Sequence, residues 1–131
     1  MRNSSVIHFH GHWDRAFRKI LSQFRLSSHT LKIEVGRHCK PRKLPLEERT
    51  CSLCTLNVIE DEKHLLLHCP FYEEERSHLF CKILTHDKDL LDETDFNNVF
   101  SNIMSSENSM VLFSLCKFLY KCFKRRNAVM S

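Results

Sequence analysis

Glycine is nearly missing from this chain, with two residues in 131, and proline is scarce at three. Tight hairpins draw on both, glycine for turns with positive φ and proline for fixed corners, so a hairpin-rich β architecture is excluded. The same scarcity removes any glycine-rich loop able to cradle a nucleotide phosphate. Long apolar runs are absent too: none approaches the roughly 20 residues that a membrane-spanning helix requires. The stretch from Met1 to His12 is polar and histidine-rich, without the apolar segment of a secretory signal. An intracellular protein, nuclear or cytoplasmic and with no membrane partner, is therefore expected. No nucleophile, base and orienting group can be matched up along the chain, so a catalytic role is not expected.

Cysteine, by contrast, is plentiful. Seven residues make an odd count, and without an export signal a disulfide framework is disfavoured; clustered Cys and His in a reducing compartment more often bind metal. The cluster lies in RTCSLCTLNVIEDEKHLLLHCPFYEEER. Cys51 and Cys54 form a C-x2-C pair on a tight turn, and a second pair must come from the segment that follows. Four tetrahedral sulfur and nitrogen ligands suit Zn²⁺. Glu60, Asp61 and Glu62 are acids suited to a helix N-terminus, after which His64 leads a helical run that Pro70 stops. On an unbroken α-helix His64 and His68 share a face, whereas His64 and Cys69 stand about 140° apart. Pro70 nevertheless biases Cys69 out of the α region, so the helix is expected to unwind there and return the thiolate to the metal. The preferred ligand set is Cys51, Cys54, His64 and Cys69, with His68 as the alternative fourth ligand. A second group of four ligands, as a RING would need, is not supplied.

The remaining sequence reads as helix. Trp13, Phe17, Ile20, Leu21 and Phe24 recur at helical spacing between His12 and Leu26, with Arg15, Arg18, Lys19 and Arg25 opposite. Leu31, Ile33 and Val35 alternate with Lys32 and Glu34, which predicts a short extended segment ending at Gly36. Phe71 to Leu84 resumes helical spacing, with Glu73, Glu74 and Glu75 on its first turns. Thr94 or Asp95 can cap a helix carrying Phe96, Val99, Phe100, Ile103 and Met104. Ser106 or Asn108 can start a last helix through Val111, Leu115, Phe118, Leu119 and Phe123. That helix is apolar around much of its circumference, so it is either the centre of a small bundle or a docking surface for a protein partner. Cys116 and Cys122 fall among its apolar positions and read as core; Cys39 lies in a basic loop, where no spacing supports a ligand role. His8, His10 and His12 alternate near the start, and a frayed terminus is the plainer reading than a weak metal site. The expected fold is mainly α: a small helical domain organised around one structural zinc turn-helix motif, with at most one short extended segment. Its parts are 1–46 (amphipathic helix and basic linker), 47–84 (zinc module) and 85–131 (helical tail).

Charge is divided unevenly. Residues 1–50 hold eleven Lys or Arg against four Asp or Glu, and residues 51–131 hold nine against twelve. Arg37, Lys40, Arg42, Lys43 and Arg49 lead into the cysteine motif as an extended basic edge. Such an edge can neutralise several phosphates and bind RNA or DNA in a salt-sensitive, sequence-poor manner, although a solvated linker has the same composition. A second cluster, Lys121, Lys124, Arg125 and Arg126, is read as offsetting the dipole at the end of the last helix or as a further phosphate contact.

An arginine, C-x2-C, an acidic E-D-E stretch, H-x4-C-P, an aromatic and a closing arginine occur here as Arg49, Cys51, Cys54, Glu60, Asp61, Glu62, His64, Cys69, Pro70, Tyr72 and Arg76. Taken whole, this pattern resembles the zinc-binding region near the C-terminus of non-LTR, LINE-type retrotransposon reverse transcriptases. The preceding LSQFRLSSHTLKIEVGRHCKPRKLPLEER is similar to the segment ahead of that motif in animal elements, so the resemblance runs from about Phe17 to Phe80. It implies a detached C-terminal piece of such an element, retained or degenerate. The polymerase domain of that family, with its paired metal-binding aspartates, does not fit in this chain, which holds no adjacent aspartates.

Overall fold

The computed structural model describes residues 12–92 and 95–130, with side chains from residue 15 onward. His8 and His10 lie outside the described residues, as do Thr94 and the side chain of His12. Among the described residues the chain is mainly α-helical with no β-sheet; its one strand-like pairing is the bridge between Thr50 and Ile59.

α1 spans His12–Arg25, and its Phe17, Leu21 and Phe24 are buried while Arg15, Lys19 and Arg25 stay exposed. It ends where Ser27 takes a φ of 58° and the Ser28 N–H donates back to the Gln23 carbonyl at 2.7 Å, a stop of the Schellman kind. The next segment departs from its alternating pattern. Lys32–Val35 is a short helix, α2, running into a 3₁₀ turn at Gly36–His38. Alternation predicts extended backbone there, but a distant residue decides the matter. Glu60 takes the Lys32 N–H on its carboxylate at 2.9 Å and the Ile33 N–H on its carbonyl at 3.0 Å, which satisfies donors that the start of a helix otherwise leaves open.

Past the cysteine motif, α3 covers Glu73–His86, α4 Phe96–Met104 and α5 Ser109–Met130. Asp95 caps α4, its carboxylate accepting the Asn97 N–H at 2.8 Å. Asn108 caps α5, its Oδ1 accepting from Met110 and Val111. α5 is the centre of the bundle, packed along α3 and α1, with Val111, Leu115, Leu119 and Cys122 fully enclosed. Much of its apolar circumference is thus buried within the chain, while Tyr120, Val129 and Met130 stay exposed, and Cys116 joins Cys122 in the core. α3 and α5 run antiparallel, tied at one end by Asn108 Nδ2 donating to the His86 carbonyl and at the other by Arg125 against Glu75 at 3.1 Å. A single core links these helices to Leu31, Leu65, Leu66 and Tyr72 of the intervening segment. No helix among the described residues is long and apolar enough to cross a membrane.

Candidate metal centre

The cysteine motif folds back through backbone bonds. Cys51 N–H donates to the Val58 carbonyl and Glu60 N–H to the Arg49 carbonyl, and Asn57, with a φ of 55°, makes the reversal, a conformation that asparagine tolerates better than most residues. Within the C-x2-C turn the Leu53 N–H points at Cys51 Sγ, 3.4 Å away, a donor that stabilises a thiolate from the second coordination layer.

The second half is a π-helical turn at His64–His68. Asp61 caps it, its Oδ1 accepting the His64 N–H at 2.9 Å. The Cys69 N–H closes the turn onto the His64 carbonyl at 2.7 Å, one residue wider than the α pattern. This widening resolves the phase conflict in the sequence: five residues of separation bring His64 and Cys69 to the same side, and Cys69 itself is extended (φ −69°, ψ 120°) ahead of Pro70. His68 is turned away, with its ring edge-on to Phe96 at 4.9 Å. Burial and then the charge of Lys63 hold its pKa below the usual histidine value.

Cys51, Cys54, His64 and Cys69 therefore converge, with one ligand atom from each lying within 4.8 Å of all the others. Cys51 Sγ and Cys69 Sγ are 3.8 Å apart, and Cys54 Sγ is 3.5 Å from His64 Nε2. A tetrahedral zinc with ordinary bond lengths sets edges of about 3.8 Å between two sulfurs and about 3.5 Å between sulfur and nitrogen. The donor set and its spacing fit Zn²⁺. Cys51, His64 and Cys69 are buried and Cys54 half-buried, an arrangement of four protein ligands that matches a closed, structural site. The neighbouring Cys69 sulfur holds the Cys51 thiol far below its ordinary range; the same contact, together with burial, raises Cys69.

Charged residues that spacing had treated as helix-end acids or surface cations brace the site. Glu60 is buried and paired with Arg126 of α5 through two bonds of 2.8 and 2.9 Å. Glu62 accepts from Ser27 and from His29, whose Nε2 lies 2.5 Å away. Burial, the largest single influence, would raise the Glu62 pKa; the bond from His29, a backbone N–H, the charge of His29 and the bond from Ser27 together outweigh it, so the net shift is downward. Arg76 donates to the carbonyls of Leu65 and Leu66, groups that the wide turn exposes. Tyr72 lies beneath, its buried hydroxyl without a hydrogen-bond partner among the described residues; burial, and then the nearby Glu60 carboxylate, raise its pKa. α5 continues to Met130, so the second basic cluster does not occupy its last turn. Two members have specific partners instead: Arg126 holds Glu60, and Arg125 lies over the Phe71 ring at 4.2 Å while pairing with Glu75.

The first basic cluster divides. Arg49 turns inward, donating to the carbonyls of Leu44 and Ile33 at 2.9 and 3.1 Å. Its side chain runs across Gly36 so closely that a Cβ there would meet Arg49 Cγ at 2.6 Å. Arg37, Lys40, Arg42 and Lys43 are exposed on the loop that Arg49 braces, and Arg37 also reaches Glu34 at 3.4 Å. Compared with known proteins, the chain matches no family model, no curated protein and no solved structure.

Proposed function

We propose that this chain is a non-catalytic zinc module that binds nucleic acid, RNA or DNA, through its basic loop, and that it derives from the C-terminal region of a LINE-type reverse transcriptase. The observation that carries the binding reading is the position of Arg49, two residues before the first ligand. Its guanidinium fixes the carbonyls on either side of the loop bearing Arg37, Lys40, Arg42 and Lys43. Ordering the cysteines around zinc thereby orders a surface of solvent-facing cations, which attract phosphates without reading sequence. The resemblance in the motif supports the origin. A chain of this kind works inside the cell, where nucleic acid is found.

Two measurements test the reading. Elemental analysis of the reduced protein is expected to give one zinc per chain, lost in Cys69→Ser. Titration with single-stranded and duplex RNA and DNA at several salt concentrations should give an affinity that falls steeply with ionic strength, losing about 0.7 to 0.9 logarithmic units per decade of salt for each phosphate contacted. Arg42→Ala/Lys43→Ala should flatten that slope; a slope unchanged by the double substitution would remove the loop from the interface. The rival reading, a zinc-propped protein-docking module, has one feature in its favour. A groove of about 300 Å³ follows the α3–α5 seam, with Leu79 and Phe118 in its floor and Lys82, Lys117 and Lys121 along it. Salt-insensitive capture of a protein, with no affinity for nucleic acid, would select it.

A further inference from the structure

The basic loop has a shape that a strand of evenly tracked phosphates does not require. Residues 36–44 return on themselves, the Leu44 N–H donating to the Gly36 carbonyl at 2.8 Å. They border an open concavity of about 380 Å³ lined only by residues 37–43. Four of those seven residues are Lys or Arg and none is acidic. Arg37 shares Glu34, whereas Lys40, Arg42 and Lys43 have no carboxylate at ion-pair distance among the described residues. Cationic side chains around one hollow, with no acid among them, make an anion site.

We infer that this hollow receives a terminal phosphate, the phosphomonoester at the end of a nucleic-acid strand; the inference rests on the nucleic-acid reading above. An internal phosphodiester carries a single negative charge and is separated from the next by a sugar, so cations that follow a strand are spread along a surface. Here they line one hollow from both arms of a closed loop. A phosphomonoester concentrates about 1.5 to 2 negative charges and three acceptor oxygens at one point, which suits convergent donors, and the planar guanidinium of Arg42 can hold two of those oxygens at once. The hollow is larger than a phosphate and admits the last sugar. Arg49 takes no direct part, since its guanidinium is committed to Leu44 and Ile33.

The test uses the zinc-loaded full chain and three forms of one single-stranded oligonucleotide: 5′-phosphorylated, 3′-phosphorylated, and hydroxyl at both ends. Each competes, unlabelled, against a common labelled strand. One phosphorylated form should bind about tenfold tighter than the hydroxyl form, the scale of one added charge-assisted interaction. Millimolar inorganic phosphate should erase that difference. Arg42→Ala and Lys43→Ala should each erase it too, with helicity by circular dichroism unchanged, while Lys82→Ala on α3 should keep it. Equal affinity for the three strands overturns the inference and leaves the basic-loop reading standing. A preference that survives both loop substitutions places the phosphate elsewhere and also overturns it. Failure to bind any of the three overturns both readings.

Discussion

Two basic clusters, similar in composition, meet opposite fates in this molecule. The loop at residues 37–43 keeps Lys40, Arg42 and Lys43 in solvent, with no carboxylate at ion-pair distance among the described residues. In the cluster at residues 121–126, Arg126 is 5% exposed and held by Glu60, while Arg125 is shared between Glu75 and the Phe71 ring. A run of positive charge therefore has no fixed meaning. What decides between ligand surface and structural clamp is whether the fold brings a carboxylate to it, and here those carboxylates lie 50 and 66 residues away in sequence.

The largest perturbation should disturb both clusters together. Removing zinc with a chelator, or substituting Cys54→Ser, withdraws an apparent binding energy of about 10–16 kcal/mol. It should unfold at least the segment between Cys51 and Cys69, seen as lost helicity and a lowered melting temperature. Helicity and zinc content both unchanged in the variant would show that the four side chains do not hold a structural metal. Next in size is a change confined to the buried clamp. Arg126→Ala leaves the Glu60 carboxylate enclosed and unpaired, at a cost of about 3–5 kcal/mol in denaturant unfolding. The double variant Glu60→Leu/Arg126→Met should lose less, although the Lys32 N–H then lacks its acceptor. In either case the folded fraction should bind nucleic acid with an unchanged salt slope.

A smaller effect comes from Glu62, which joins the end of α1 to the metal-binding turn. Because its folded pKa is depressed, its stabilisation is complete above the unfolded glutamate value of about 4.3 and is lost as pH falls through the lower folded value. Glu62→Gln should cost about 1–2 kcal/mol near neutrality, with the gap to the parent closing in acid; a gap that persists below the folded value would deny the ionic part of the contact. Zinc content is followed alongside, and the gap is read only where both proteins retain the metal. The smallest stability change belongs to the exposed loop: Arg42→Ala/Lys43→Ala should shift unfolding by no more than about 0.5 kcal/mol while altering the salt dependence of binding. A large loss of stability there would mean that this loop, too, is a clamp.

The helices and the four converging ligand atoms were legible in the sequence because their signals are local. Phe17, Leu21 and Phe24 repeat at helical spacing, Asp95 and Asn108 stand where caps stand, and C-x2-C writes its own turn. Pro70 announced the extended Cys69. The width of the turn before it was not announced, because HLLLH fits an α-helix as well as a π turn, and the choice falls to the Cys69 N–H reaching the His64 carbonyl. α2 escaped for a related reason, since the groups that start it are completed by Glu60 and not by a neighbour. The three acids of E-D-E look equivalent in sequence, yet Asp61 caps, Glu60 pairs with α5 and Glu62 accepts from His29 and Ser27. The closing Arg76 was visible as part of a pattern, but its partners, the carbonyls of Leu65 and Leu66, required the turn to be built first.

The span between Glu60 and Arg126 also sets an order of events during synthesis. Chains emerge N-terminus first, so all four ligands are made and able to collect zinc while Arg126 has yet to be added. Until then Glu60 has no guanidinium to enter the interior with, and an enclosed lone carboxylate is strongly disfavoured. The nascent finger must stay open on that side, hydrated at Glu60, with α5 arriving last to close it. A ribosome stalled before Arg126 would thus hold a metal-loaded but unsealed intermediate, and a protease offered that intermediate should cut near Glu60 where it spares the finished chain.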